Sequence, residues 1–261
     1  ISAADINPSQ DYDVIHTLTF AEGSGTCNIR LYRGSNSAYT GTVYYRAGTS
    51  GAWTELSVSG TTTTFPVSST TMQIGHDNNK SGNDYMTASF YGQATNLIGI
   101  AISQKAVFSG TMGNHFMYNY ASYCYSLTSL AVPDTSGLTS VGTYFMTYYA
   151  SNCSSLTSLA VPDTSGLNSV SDSFMGYYAY GCSSLLRLEL PAAGWFVGHN
   201  IDWSVPSDRL NYLKGYVTNS TDQTAWKALT ASGKTLYLNY VRSENDVVLE
   251  GGSSRRIIIT Q

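Results

Sequence analysis

The sequence is poor in charged residues and lacks long apolar runs. Asp, Glu, Lys and Arg make up 11% of the 261 residues, against about 25% in ordinary soluble proteins. The 13 basic residues are scattered and the net charge is −4. Because no basic stripe results, we expect no nucleic-acid partner. No apolar run approaches the ~20 residues that a transmembrane helix needs, so the sequence predicts no membrane-spanning segment.

The sequence also lacks the short motifs of the common enzyme classes. Its four histidines form no His-Glu-x-x-His, and Gly-x-Ser-x-Gly, Cys-x-x-Cys and a phosphate-binding glycine loop are missing. The four cysteines are far fewer than small secreted disulfide scaffolds use. We therefore predict a protein that is not an enzyme and that requires no cofactor.

What the chain does contain is a stretch that repeats itself. Cys124, Cys153 and Cys182 are 29 residues apart, and similar text surrounds each of them. The shared pattern is Phe-Met, then Tyr-Ala, then Cys, then Ser-Leu-x-x-Leu and a proline. A fixed period between about 20 and 50 residues is typical of stacked repeats. The sequence therefore predicts a solenoid with caps over 109–250, of which the part after Pro191 is a divergent C-terminal cap.

Each repeat unit has two local patterns. Leu159 and Val161 follow a period of two, which predicts a short strand that ends at Pro162. Apolar residues over 174–182 recur at i, i+1, i+4, i+5 and i+8, which predicts a short helix. The repeated cysteines then form a column whose side chains point the same way. Since that is poor disulfide geometry, we predict buried free thiols.

The repeated text resembles a known family. Cys-Ser-Ser-Leu-x-x-Leu-x-Val-Pro, followed by Leu167, Val170 and Phe174, is similar to the BspA-like (Treponema-type) leucine-rich repeats of bacterial surface proteins. The resemblance covers roughly 112–191, under a third of the chain, and its period is longer than the family's usual unit. It implies a curved, right-handed leucine-rich-repeat solenoid in a secreted or cell-surface protein that binds other macromolecules.

The segments outside the repeats are predicted from strand patterns. Over 13–108, seven short runs rich in β-branched and aromatic residues alternate with Gly, Ser and Asn, which predicts a β-sandwich. Residues 1–12 are expected to be an extended lead-in. Residues 251–261 are predicted to be a linker and a lone terminal β-strand that allows self-association by pairing with a neighbour. The predicted fold class is therefore mixed β/α.

One loop is similar to the beginning of a calcium site. Asp77, Asn79 and Ser81 place side-chain oxygens at positions 1, 3 and 5 of an EF-hand loop, and Gly82 occupies position 6. Position 12 is Ala88 where the bidentate Glu should be. The sequence thus predicts at most a weak Ca²⁺ site, and a plain connection between strands is the simpler interpretation.

Two sets of solenoid side chains are predicted to face outward. The first is a ridge of tyrosines, and the second is a smooth layer of small residues on the strands. A tyrosine side chain has a large contact area and a polar hydroxyl group, and it loses little conformational entropy on binding. These properties suit recognition of sugars or protein surfaces. The tyrosines are explained equally well as side chains that only pack against neighbouring coils and bind no partner. The predicted binding residues are Tyr118, Tyr148 and Tyr177 on the ridge and Thr128 and Thr157 on the strands, where Ala131 and Ala160 are also expected to face outward.

These patterns together predict a recognition or adhesion module that binds a protein or glycan surface through its leucine-rich-repeat surface. The alternative is a structural subunit or accessory of a virion tail or cell-surface filament, assembled by strand addition. Both hypotheses place the protein outside the cell, at the cell surface or on a virion surface. Because the chain opens on Ile1 without a leader, we expect any export signal or anchor to lie outside it.

Overall fold

The chain is mostly β, with a single helix and a β-solenoid of about four turns among the residues that can be described. The computed structural model describes residues 5–34, 38–39, 42–58, 60–77, 86–93, 96–164, 166–190, 214–231 and 247–250. The elements are β1 (Asp5–Ile6), β2 (Val14–Phe20), β3 (Thr26–Arg33), β4 (Val43–Ala47), β5 (Thr54–Leu56), β6 (Thr62–Pro66), β7 (Thr71–His76), β8 (Met86–Ser89), β9 (Leu97–Gln104), β10 (Ser109–Met112), β11 (Ser129–Leu130), β12 (Gly137–Val141), β13 (Ser158–Ala160), β14 (Arg187–Glu189), β15 (Lys214–Val217), α1 (Ser220–Ala231) and β16 (Val247–Leu249).

Two sheets form the N-terminal part. The larger has the strand order β1-β9-β2-β7-β4-β5, and the smaller has the order β6-β3-β8. In β2 the side chains of Val14, His16, Leu18 and Phe20 are buried, whereas Thr19 is exposed. This alternation follows from the period of two of a strand, whose successive side chains point to opposite faces of the sheet. Hydrophobic residues on the inner faces of both sheets belong to one core cluster.

The larger sheet continues directly into the solenoid. Strand β11 pairs in parallel with β9, where Ser129 lies opposite Gly99 and Leu130 opposite Ile100. The buried residues of both parts form a single hydrophobic cluster. The N-terminal part therefore differs from the β-sandwich predicted over 13–108. One edge of β9 pairs with β2, and the other edge pairs with β11 of the first repeat. The N-terminal part and the solenoid therefore share a sheet and a core.

The repeats stack with equivalent residues on top of one another. The rings of Phe116, Phe145 and Phe174 form a column with centroids 5.3 Å apart at both steps. Tyr149 and Tyr178 belong to a second buried column, with centroids 5.3 Å apart and planes within 8° of parallel. Strands β10 and β12 pair in parallel, as do β13, β14, β15 and β16 in sequence. The solenoid predicted from the 29-residue period is confirmed.

The segment of each repeat that was predicted to be helical is a run of tight turns. Positive φ recurs at every second residue over 115–119, 144–148 and 173–177, which no α-helix of L-residues permits. The residues with positive φ in these repeats are His115, Met117, Asn119, Tyr123, Tyr144, Met146, Tyr148, Asn152, Ser173, Met175, Tyr177 and Gly181.

The helix prediction over 174–182 is therefore wrong, and the reason lies in the hydrogen bonds. The amide of Tyr148 donates to the carbonyl of Gly176 at 2.8 Å, and the amide of Ala150 donates to the carbonyl of Tyr178 at 2.9 Å. These bonds join neighbouring coils, whereas helix bonds stay within one segment. Buried backbone amides need a partner, and here many find it in the next coil.

The parallel sheet extends beyond the repeats into the C-terminal part. Strand β15 pairs with β14, and β16 pairs with β15. Helix α1 is capped by the residue before it, because Asn219 Oδ1 accepts the amide of Asp222 at 2.8 Å. Among the described residues, no helix is long and apolar enough to cross a membrane. The predicted terminal strand over 251–261 lies outside the described residues, so self-association through it stays a prediction.

The repeated cysteines form the predicted column of buried free thiols. Each thiol donates to a carbonyl of the preceding turn of chain: Cys124 to Phe90 at 3.2 Å, Cys153 to Ala121 at 3.1 Å and Cys182 to Ala150 at 3.0 Å. Burial raises the pKa of Cys124 and of Cys182 to about 12. Because the thiolate is the reactive form, these side chains should be inert in the folded protein.

This inertness gives a direct chemical prediction. We expect iodoacetamide at pH 8 to leave Cys124, Cys153 and Cys182 unmodified in the native protein, and to alkylate all of them once denaturant is added. Intact-mass spectrometry counts the adducts, and the denatured sample serves as the positive control. Rapid alkylation of the native column, or a mass that reveals a bridge between two of the three thiols, would contradict the buried arrangement.

Candidate recognition surface

Aromatic side chains from three successive coils and one loop before them form two groups of ring contacts on the outside of the solenoid. Tyr148 and Tyr177 are stacked with their ring centroids 4.9 Å apart, and Tyr118 contacts Tyr148 edge-on at 6.0 Å. His115 stacks on Tyr144 at 4.9 Å. We call the whole set the tyrosine face, and it consists of Tyr91, His115, Tyr118, Tyr123, Tyr125, Tyr144, Tyr148, Tyr177 and Tyr180.

The three tyrosines predicted from sequence are brought together, although not by the repeat alone. Tyr148 and Tyr177 occupy the same position in successive coils, where the first coil has Asn119. Tyr118 is one residue earlier in its own repeat, and its ring crosses that of Tyr148 at 85°. All three are half-buried. Thr147, which precedes Tyr148, is buried, and its hydroxyl donates to the carbonyl of Ser173.

Sequence reasoning missed the most exposed members of the tyrosine face. The side chains of Tyr91, Tyr123, Tyr125, Tyr144 and Tyr180 are 38–45% exposed. In the described part of the chain they account for five of the eight large hydrophobic residues that are this exposed. They vary between repeats, so the period did not single them out. The signal that could have found them is the density of tyrosine itself, 21 residues in the chain.

The tyrosine face is almost free of charge. Residues 113–125 and 142–153 contain no Asp, Glu, Lys or Arg, and 171–182 contain only Asp172. Burial, followed by the neighbouring phenols of Tyr177 and Tyr118, raises the pKa of Tyr148. Its hydroxyl therefore stays protonated at neutral pH and can both donate and accept hydrogen bonds. The face offers ring edges and hydroxyl groups at fixed positions, without a formal charge among its tyrosines.

The strand layer is a different surface. Thr128 and Thr157 are exposed just before β11 and β13, as predicted, and Thr128 Oγ1 donates to the carbonyl of Ile98 at 3.0 Å. Ala131 and Ala160 were expected to face outward as well, but both are buried. The outward position of this layer is therefore a threonine in the first two repeats and Leu186, which is 58% exposed, in the third.

The predicted calcium loop is only partly described. Asp77 follows β7 and is exposed, whereas Asn79 and Ser81 lie outside the described residues. Within the parts of the chain that the structure covers, no three His, Cys, Asp or Glu side chains form a group that could hold a metal ion. A weak Ca²⁺ site at this loop stays a prediction.

Comparison of the chain with family models, with curated proteins and with solved structures gives no match. The resemblance to BspA-like leucine-rich repeats therefore rests on the repeated text alone and stays a prediction. The candidate surface is defined by its own geometry: two groups of contacting aromatic side chains on a stacked, hydrogen-bonded scaffold.

Proposed function

We propose that the protein is a non-catalytic recognition or adhesion module that binds a protein or glycan surface outside the cell through its tyrosine face. The observation that supports this most directly is the clustering of exposed tyrosines within the face. Of its five exposed tyrosines, Tyr144 and Tyr180 contact half-buried tyrosines, and the other three contact one another, on a surface nearly without charge. Exposed aromatic side chains that cluster in this way on a soluble chain are typical of binding sites.

The rigidity of the face favours binding. Tyr148 and Tyr177 stack with their planes within 9° of parallel, and the buried column of Tyr120, Tyr149 and Tyr178 stacks beneath the same coils. Side chains that are already ordered lose little conformational entropy when a partner arrives. Tyrosine is also enriched among the residues that dominate binding energy at interfaces. A module of this kind binds with a preformed surface.

The chemistry of the face sets the kind of partner. Stacked pairs such as Tyr148–Tyr177 cover each other's flat sides, so ring edges and hydroxyl groups remain for the partner. An uncharged surface rich in hydroxyl or amide groups matches such a face. The repeated text that resembles bacterial surface proteins, together with the low charge, supports a location at a cell or virion surface.

The test exchanges tyrosines of the face for the residue that the chain itself uses at that position. Tyr148→Asn combined with Tyr177→Asn reproduces Asn119 of the first coil, and asparagine tolerates the positive φ found at both sites. Wild-type protein is applied to immobilised glycans, mucin and collagen. We expect retention on at least one of them, and at least a tenfold loss of affinity for the double variant while its melting temperature changes by only a few degrees.

The matched control changes the strand layer. Thr128→Lys combined with Thr157→Lys adds charge to the other predicted surface and leaves the tyrosine face intact. We expect this variant to bind like the wild type. Loss of binding in the lysine variant, with full binding in the asparagine variant, would move the site to the strand layer. Failure of the wild type to bind any immobilised surface more than it binds serum albumin would overturn the proposed function.

A further inference from the structure

A second, independent site is formed on the outer face of the larger N-terminal sheet. Four residues face each other in one row across β9, β2, β7 and β4: Ala101 pairs with Thr17, Thr17 with Gln73, and Gln73 with Arg46. This row lies in an open cleft with a volume of about 420 Å³. That volume falls in the range of about 300–1,000 Å³ that is usual for small-molecule sites.

The beginning of the chain makes one wall of the cleft. Residues 5–13 start by pairing β1 with β9 and then cross the outer face of the sheet. Tyr12 lies directly on Gly75, since a Cβ built at Gly75 would be 2.4 Å from Tyr12 Cδ2. The ring of Tyr12 also stacks on Tyr44 at 5.1 Å and contacts Trp53 edge-on at 4.9 Å. Because Gly75 has no side chain, the ring of Tyr12 packs directly on the sheet there. The aromatic cluster of Tyr12, Tyr44 and Trp53 therefore covers one side of the outer face, and the cleft lies beside this cluster.

The polar groups of the row are held in place by one another. Arg46 Nε donates to Gln73 Oε1 at 2.8 Å, and Gln73 Nε2 donates to Thr17 Oγ1 at 2.9 Å. Because its oxygen already accepts a bond, the Thr17 hydroxyl can donate its own hydrogen into the cleft. The Arg46 guanidinium lies 4.1 Å from the centroid of the Trp53 ring and 3.7 Å from Asp11 Oδ2. These contacts hold the side chains of Arg46, Gln73 and Thr17 in place in the absence of a ligand.

The charges of the cleft exclude two classes of ligand. Its lining includes the carboxylates of Asp5 and Asp11 beside the single cation of Arg46, so a small anion meets net repulsion. A metal ion would meet the guanidinium of Arg46. The amide, hydroxyl, guanidinium and carboxylate groups of the lining include both hydrogen-bond donors and hydrogen-bond acceptors. They match a neutral ligand whose closely spaced groups both donate and accept hydrogen bonds. Apolar surface from Ile15 and Ala101 adjoins these groups.

We propose that the cleft over Thr17, Gln73, Arg46 and Ala101 binds a neutral carbohydrate of one or two rings. Each sugar hydroxyl both donates and accepts hydrogen bonds, and the C–H face of a sugar ring can lie on the exposed Ala101. The site is separate from the tyrosine face, and the proposal does not depend on what that face binds.

The experiment uses the intact chain and soluble sugars. Glucose, galactose, mannose, N-acetylglucosamine, lactose and maltose are each tested by saturation-transfer difference NMR, and dissociation constants are taken from titrated amide shifts. We expect at least one of them to bind with a dissociation constant of millimolar order or lower. Thr17→Val, which removes the hydroxyl at nearly constant volume, and Ala101→Leu, which fills the floor, should each weaken that binding at least tenfold.

The control is Thr19→Val, which makes the same change two residues further along β2, at an exposed position that does not line the cleft. It should leave sugar binding unchanged, and so should Tyr148→Asn combined with Tyr177→Asn. The proposal is overturned if no sugar of the panel binds, or if Thr19→Val weakens binding as much as Thr17→Val. Binding that survives Ala101→Leu and disappears in the tyrosine variant would also overturn it, because the sugar would then occupy the tyrosine face.

Discussion

Replacing Gly142 with alanine should destabilise the protein by about 2–3 kcal/mol, in the range that overpacking of a close contact usually costs. A Cβ at this position would lie 2.6 Å from the backbone nitrogen of Asn114 and 2.7 Å from the carbonyl carbon of Gly113. Both atoms belong to the preceding coil. They cannot move away freely, because the amide of Gly142 donates to the carbonyl of Met112 at 2.9 Å. Chemical denaturation of the two proteins measures the difference.

Gly176→Ala provides the matched control within the same solenoid. Its Cβ would be 3.5 Å from the carbonyl oxygen of Ser173 and 3.6 Å from Thr147 Cγ2, which are ordinary van der Waals distances. Neither glycine has a positive φ, so the comparison isolates the contact between coils from backbone strain. We expect Gly176→Ala to change the free energy of unfolding by less than ~1 kcal/mol. Equal losses in both variants would contradict the stacking register.

The period of the sequence was sufficient to predict the stacked architecture. Phe116, Phe145 and Phe174 are 29 residues apart and form one column, as do the cysteines of the repeat. A repeat unit cannot bury its apolar side chains alone, so equal spacing in the sequence implies equal position in successive coils. Strands before the repeats were also predicted, from short runs rich in β-branched and aromatic residues between Gly, Ser and Asn. Their union with the solenoid through β9 was not, because pairing between distant strands leaves no local pattern.

The backbone of the repeats was predicted wrongly for a related reason. Apolar residues at i, i+1, i+4 and i+5, such as Phe174, Met175, Tyr178 and Ala179, satisfy a helix as well as they satisfy a coil of tight turns. The choice between the two depends on where the amides find acceptors. In this chain the amide of Met175 donates to the carbonyl of Phe145 in the neighbouring coil at 2.7 Å. Local periodicity contains no information about such a partner.

The candidate surfaces were predictable to different degrees. Tyr118, Tyr148 and Tyr177 were found because they lie beside the repeated Phe-Met pair, whereas Tyr91 comes from a loop outside the repeats and joins the tyrosine face only through its contact with Tyr123. The cleft was not predicted at all. The row that includes Thr17 and Gln73 is assembled from four strands, and only the sheet order brings its residues side by side.

Two histidines connect the N-terminal sheets to the first coil in a fully buried network. His16 on β2 lies 2.7 Å from the hydroxyl of Tyr120 through Nδ1 and 3.0 Å from His76 Nε2 through Nε2. His76 Nδ1 faces the carbonyl of Asp77 at 3.5 Å. One arrangement of protons pairs all of these groups: Tyr120 donates to His16, His16 donates to His76, and His76 donates to the carbonyl. Both imidazoles are neutral in it.

Protonation of either imidazole would place a charge in this network. Burial lowers the pKa of His76 to about 4, and the Asp77 carbonyl and the Asp13 carboxylate oppose the shift only in part. Burial, and then the neighbouring His76, lowers the pKa of His16 well below its ordinary value. An unfolded chain takes up both protons near pH 6.5, while the native protein does not. Below that pH the unfolded state binds more protons, so stability must fall as the solution is acidified.

We expect the free energy of unfolding to be nearly constant between pH 7 and 8 and to decrease between pH 6.5 and 4, with His76 alone contributing about 3 kcal/mol of the loss. His76→Gln keeps a hydrogen-bonding side chain but cannot titrate, so it should flatten this decrease even if it lowers stability at pH 7. His115→Gln, which leaves the buried pair intact, should retain the full decrease.

Denaturation curves collected at intervals across this pH range give the free energy of unfolding of the three proteins. Differences between these free energies do not contain the contribution of the carboxylates, because all three proteins share it. If wild type and His76→Gln lose stability in parallel, the acid sensitivity does not come from His76.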